Sequence, residues 1–276
     1  MQINNNIQLD QNAYLNANQA LNRIATGSSI NSAADNASGL AISDNLNAQA
    51  SGISQSIDNV NSGIASLQIG DQAIKEQSSI LDQVKEKLLQ ASTDTTSQDG
   101  RKALITEIKD LLENFDNIAN STNYNGQTLL QNGFNDTSAT QALQFQAGES
   151  SGDIIESGSI QSNTQGTGLT ALLNQDIETF TSADARGYLE TVDNAITTVN
   201  SFRAELGSTQ NQLQSSSENL LAQYSQTTGA ASVISEVNYA QEVANFGKQN
   251  ILAQIGAFGA AQSNNINQNI VSRLLS

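Results

Sequence analysis

Residues 53–88 read ISQSIDNVNSGIASLQIGDQAIKEQSSILDQVKEKL, and within them Ile53, Val60, Leu67, Ile74, Leu81 and Leu88 recur every seven positions. Ile57, Ile64 and Val84 add intermediate apolar positions. A strict seven-residue repeat keeps one seam of an α-helix turned toward a partner helix and winds the two left-handedly. A helix over roughly 42–91 would be about 75 Å long at 1.5 Å per residue. The spacing therefore predicts a rod that needs a companion along its length.

The next segments supply companions. Ser92–Gly100 is polar and reads as a helix–helix turn, with Thr96 and Asp99 at capping-box spacing. Leu104, Ile108, Leu111, Phe115 and Ile118 then recur at alternating spacings of four and three, which predicts a second helix folded back antiparallel because the connection is short. Asn125-Gly126 is a turn signal that ends it. Between 126 and 181 the helical period is lost. Leu143, Phe145 and Ile154-Ile155 predict one small β-hairpin, and the Ser/Thr/Gly-rich stretch 157–170 reads as a surface loop. Periodicity returns with Leu189, Val192, Ile196, Val199, Leu206, Leu213 and Leu220, after Thr181 and Asp184 at capping-box spacing. The predicted fold class is mainly α: a long antiparallel helical bundle or coiled coil formed by the N- and C-terminal halves, with a small β-hairpin region.

The two ends share a different character. Residues 1–38 hold only Asp10, Arg23 and Asp35 as charges, and 243–276 only Lys248 and Arg273. Ile3, Ile7, Tyr14, Leu21 and Ile24 at the front, and Ile251, Ile255, Phe258, Ile266, Ile270 and Leu274 at the back, have helical spacing. A helix of about 30 residues with so few charges does not hide such a side alone in water. Both ends are expected to pack on each other and on copies of themselves.

Composition narrows the function. A net charge of −16 argues against nucleic acid, whose phosphates it would repel, and suits an abundant exposed protein that must stay soluble. Only 4% of residues are aromatic, which fits a narrow apolar seam better than a large enzyme core. With no Pro, long helices go uninterrupted. With no Cys and no His, disulfides, thiol catalysis, soft-metal sites and the zinc-protease helix motif are excluded together. No phosphate loop is present, no Ser has a His base, and carboxylate pairs such as Glu107/Asp110 lie on expected helix surfaces. No cofactor or catalytic role is expected. The first 20 residues lack a basic front and an apolar run, so no cleaved signal peptide is expected. The charge-free stretch 249–272 is broken by Gln254, Gln262, Asn264, Asn265 and Asn267, so no membrane insertion is expected.

Three runs then carry a family resemblance. Residues 29–42, SINSAADNASGLAI, resemble the amino-terminal signature of bacterial flagellins; 201–213, SFRAELGSTQNQL, resemble their later helix signature; and 244–252, ANFGKQNIL, resemble their carboxyl-terminal one. The similarity extends over nearly all of 1–130 and 182–276. It implies an extracellular filament subunit for swimming, a homopolymer whose terminal helices form an inner tube and whose bundle forms an outer one. On that template 1–41 is an inner-tube helix and connector, 42–181 the first part of the bundle with the hairpin, 182–231 its last helix, and 232–276 the second inner-tube helix. The insert between bundle helices is too short for independent outer domains, and without His it cannot hold the metalloprotease of some relatives.

The resemblance also implies export through the flagellar type III apparatus with a dedicated chaperone, contacts with hook-associated and cap proteins, and possible sister flagellins in one filament. A Toll-like receptor senses the family's bundle surface at positions matching Gln83, Lys87 and Glu107. The familiar pattern has Arg at the first and Leu at the second. Gln83 makes no bidentate charged contact and Lys87 brings a charge that must be desolvated, so weak or no recognition is expected. O-linked glycans on Ser and Thr between 137 and 182 are a further family trait. The rival readings are a hook–filament junction protein, with similar ends, and an adhesin-like binding module.

Overall fold

The computed structural model describes residues 3–274; the side chains of residues 3–10, 267, 270–272 and 274 lie outside the description, and with them the expected contacts of Ile3, Ile7, Ile270 and Leu274. In chain order the elements are α1 (Ile3–Thr26), α2 (Ala33–Ala91), α3 (Gln98–Ser121), β1 (Asn123–Tyr124), β2 (Gln127–Thr128), β3 (Gln144–Gln146), β4 (Ile154–Glu156), α4 (Thr170–Leu173), α5 (Ser182–Ser235) and α6 (Tyr239–Leu274). They form two compact units, residues 51–224 and residues 1–50 with 225–276. The expected helix over 42–91 begins earlier, at Ala33, with its backbone interrupted at Asn36 (φ −163°, ψ 93°).

In the unit 51–224, α3 and α5 both run antiparallel to α2. Cross-links show the direction: Lys85 pairs with Asp193 at 2.5 Å and Asp71 with Arg203 at 3.0 Å, so numbers fall on α5 as they rise on α2. The seam residues Ile53, Val60, Leu67, Ile74, Leu81 and Leu88 are all buried. They face a second seven-residue ladder on α5, Ala185, Val192, Val199, Leu206, Leu213 and Leu220, also buried. Leu189 and Ile196 pack only at the edge of this core. On α3 the buried residues are Leu104, Ile105, Ile108, Leu112, Phe115 and Ala119, whereas the expected Leu111 and Ile118 are partly buried. Two partner helices draw in a wider α3 face than a single three-four stripe marks.

Local signals hold at one cap and slip at the other. Thr181 and Asp184 form a reciprocal capping box: the Thr181 amide donates to the Asp184 carboxylate at 2.9 Å and the Asp184 amide to the Thr181 hydroxyl at 3.2 Å. At α3 the cap is Ser97, whose Oγ accepts from the Gly100 amide at 3.1 Å, one residue beyond the expected Thr96. The Thr96 hydroxyl instead donates to the Gln90 carbonyl and closes the preceding turn.

The region between α3 and α5 departs furthest from expectation. It holds two hairpins. β1 pairs with β2 across Asn125-Gly126, both at positive φ (51° and 83°), the left-handed pair a two-residue hairpin turn requires. β3 pairs antiparallel with β4. The stretch 157–170 is not a surface loop: Ser157, Ile160, Ser162, Asn163, Thr164, Thr167 and Leu169 are buried. Its polar side chains satisfy one another and the helices. The Ser162 hydroxyl donates to Gln77 Oε1 at 2.5 Å, and Gln77 Nε2 donates to the carbonyls of Ser162 and Phe115 at 2.7 and 3.0 Å. Asp116 accepts from the Thr164 amide and hydroxyl, both at 2.7 Å. Ile160 and Leu169 join the apolar core, and hydrogen bonds let the polar remainder of the segment enter with them.

Candidate functional site

The unit 1–50 with 225–276 is built on α1 packed against α6. Helical pitch explains its faces. On α1, Ala13, Ala17 and Ala20 share one side and are buried; on α6 Ala253 is buried. Small side chains let the two backbones approach closely. Ile24, seven after Ala17, shares the alanine side, whereas the exposed large apolar residues take other sides. Ile251, Ile255, Phe258 and Ile266 fall within about 80° of arc centred opposite Ala253, at roughly 100° per residue. They are 48–77% exposed. Tyr14 and Leu21, seven apart on α1, are also about half exposed, and Ile24 is intermediate.

The two ends pack on each other within one chain; among the described residues alanines are buried along them, and Tyr14, Leu21, Ile251, Ile255, Phe258 and Ile266 stay exposed. An alanine row at spacings of four and three is visible in the sequence, but hydropathy counting that favours large residues passes over it. Four buried methyls contribute about 0.8 kcal/mol each, little for helices of 24 and 36 residues.

Two connectors lock the base of this pair. Gly27, at φ +71°, turns the chain out of α1. The Ser29 amide then donates to the Ser235 carbonyl at 2.7 Å and the Val237 amide to the Gly27 carbonyl at 3.1 Å. The Ser29 hydroxyl reaches the Ile234 carbonyl at 3.2 Å. Arg23 lies between Glu242, 3.3 Å from Nη1, and Asp35, 3.9 Å from Nη2. Backbone and hydroxyl donors from Asn31 and Ser32, with Arg23 beside them, hold the Asp35 carboxyl below its usual range. Sequence reading treated these charges only as scarce and missed their convergence.

On the bundle, Gln83 is exposed and its Nε2 reaches only the Ser79 carbonyl, at 3.4 Å. Lys87 forms an ion pair with Glu107 across α2 and α3. The structure therefore joins two of the three receptor-matching positions, a pairing that spacing along the chain does not disclose. Among the described residues no helix is long and apolar enough to cross a membrane, and no group of three or more acidic side chains is placed to hold a metal ion.

Comparison with known proteins gives a consistent result. The family model for the bacterial flagellin N-terminal helical region matches residues 1–135, and that for the C-terminal helical region matches 189–274. A flagellin of Halalkalibacterium halodurans is 32% identical over 280 residues, covering 99% of this chain and 100% of the relative. The Bacillus subtilis flagellin is 31% identical with the same coverages. The crystal structure of Bacillus cereus flagellin aligns with TM-score 0.50 at 25% identity, over 59% of this chain and 88% of that one. A putative flagellar hook-associated protein from Vibrio parahaemolyticus shares the fold, with TM-score 0.60 at 13% identity over 72% of this chain and 99% of that one.

Proposed function

This chain belongs to the bacterial flagellin family, and from that membership we propose how its surfaces build a polymer. It is a structural subunit of the extracellular flagellar filament that drives swimming. In our reading residues 1–41 and 232–276 supply the inner tube, and 42–181 with 182–231 the outer one. The observation that carries this is the stripe of Ile251, Ile255, Phe258 and Ile266 on the side of α6 opposite its alanine contact with α1. Tyr14 and Leu21 add exposed apolar side chains on α1, and Ile3 and Ile7 fall on their side of the helix by sequence spacing; Ile24, Ile270 and Leu274 are assigned to self-assembly by their apolar character alone. Each such side chain contributes roughly 1.5–3 kcal/mol when a neighbour covers it, and contacts between unlike patches of identical chains grow an open helix.

The test is Phe258→Asp. The expected result is a monomer of unchanged helicity that no longer elongates filament seeds. Growth at the wild-type rate refutes the role of the stripe.

A hook–filament junction role is not favoured, because the relatives matched over 99% of this chain are named flagellins. We assign no catalytic role. Type III export, a chaperone for the carboxyl-terminal segment, junctions with hook-associated and cap proteins, and co-assembly with sister flagellins belong to the same proposal and are supported by family membership alone. Weak Toll-like receptor recognition is supported further by the Lys87–Glu107 pair, which a receptor would have to break or desolvate. In a receptor reporter-cell assay this chain should be far less potent than an enterobacterial flagellin; equal potency overturns the inference.

A further inference from the structure

Arg23 is the only base among residues 1–74, and Glu242 is the only acid of α6. The fold brings them together across 219 positions, with Nη1 of Arg23 donating to Oε1 of Glu242 at 3.3 Å. The other nitrogen, Nη2, faces Asp35 of α2 at 3.9 Å. One guanidinium therefore meets two other helices of the unit 1–50 with 225–276. Its surroundings are uneven: the Arg23 side chain is 32% exposed, that of Glu242 only 10%. Asn245 adds a weak bond, its Nδ2 lying 3.4 Å from Oε2 of Glu242. Asp35 is itself held in place by the amides of Asn31 and Ser32, at 3.1 and 2.9 Å.

Where Glu242 sits on its helix gives this pair its meaning. Ala253 follows it by eleven residues, about three turns at roughly 100° per residue, and both are buried on the side of α6 that packs on α1. The exposed stripe of Ile251, Ile255, Phe258 and Ile266 lies on the opposite side. Apolar burial alone favours the reverse arrangement, because Ile and Phe side chains gain more than alanine methyls by leaving water. The alanine contact does little to resist such a turn, since methyl groups make shallow ridges. A guanidinium–carboxylate bond is different. It fixes both a height and an angle of one helix on the other.

We propose that Arg23 is a positioning residue for polymerisation: by clasping Glu242 and Asp35 it sets the register of α6 on α1 and so holds the apolar stripe outward, toward neighbouring copies. The proposal rests on the filament-subunit reading. Without the guanidinium, Glu242 is enclosed and has lost its cation, which is the costly way to bury a carboxylate. The helix then turns to bring that carboxylate to water, and the stripe turns away from its partners with it.

Seeded elongation tests it. Arg23→Glu sets three acids face to face and is expected to raise the critical concentration at least twentyfold. Lys248→Glu, the same change of charge at an exposed site on α6, should raise it less than threefold. The reversed arrangement, Arg23→Glu with Glu242→Arg and Asp35→Asn, should return it to within fivefold of the parent. Thermal melting of the unit 51–224, which contains none of these residues, checks that each variant is folded. Register is read with a single thiol, since the chain has no cysteine. In filaments grown from excess subunit, Ala253→Cys should react with maleimide at least tenfold faster when Arg23→Gln is added, and less than threefold faster with Lys248→Gln. Equal critical concentrations for Arg23→Glu and Lys248→Glu, no rescue by the reversal, or a thiol at 253 indifferent to Arg23 would each overturn the proposal. Failure of the unsubstituted chain to elongate seeds would instead sink the filament-subunit reading itself.

Discussion

Gln77 is an uncharged polar side chain at the centre of a long apolar seam, fully buried between Ile74 and Leu81. It serves three partners at once: the Ser162 hydroxyl and the carbonyls of Ser162 and Phe115. Truncation would strand all three, and a buried unsatisfied group costs about 1–3 kcal/mol. Gln77→Ala and the volume-conserving Gln77→Met should each lower unfolding stability by about 3 kcal/mol in denaturant titrations. A Met variant as stable as the parent would show that the network adds nothing. Sequence reading located Ile74 and Leu81 through their spacing, but Gln77 carries no such signal. Its partner lies 85 positions away, and hydropathy marks Ser162 as loop. Polar burial is legible only when both ends of the bond are known. The alanines at 13, 17, 20 and 253 escaped for the opposite reason, being too small to weigh in a pattern that a close helix pair nevertheless needs.

At the scale of elements, long helices were readable and their ends were not. The seven-residue period on α2 marks its buried side because one period persists for five turns of the repeat. Caps depend on a single residue, and Thr96 and Ser97 are both chemically suitable. The structure decides between them by the bond from the Gly100 amide to Ser97 Oγ. Ser97→Ala should therefore cost about 1 kcal/mol and Thr96→Ala clearly less, measured as shifts in thermal midpoint; the reverse order would place the cap at Thr96. The Asn125-Gly126 pair was recognised as a turn, but its strands are two residues each and too short to display alternation. Strand pairing of that length is specified by the turn and by what packs beneath it.

Across the whole molecule, charge and hydropathy act in opposition. Apolar stripes on α1 and α6 favour association, while sixteen excess negative charges per chain oppose it. Screening shortens that repulsion, with a Debye length of about 30 Å at 0.01 M and 10 Å at 0.1 M. Seeded growth should therefore quicken several-fold between those ionic strengths; equal rates would mean that repulsion does not limit growth. Composition made this antagonism readable at the outset. The bonds joining the connectors, Ser29 to Ser235 and Val237 to Gly27, carry a consequence for timing. Their partners are separated by more than two hundred positions, and closing so long a loop is slow and entropically costly. During synthesis, α1 must wait without its mate until α6 follows, more than two hundred residues later. Until α6 emerges a newborn chain has no paired terminal helices to offer, and a protein made in bulk gains an interval in which it does not stick to its siblings.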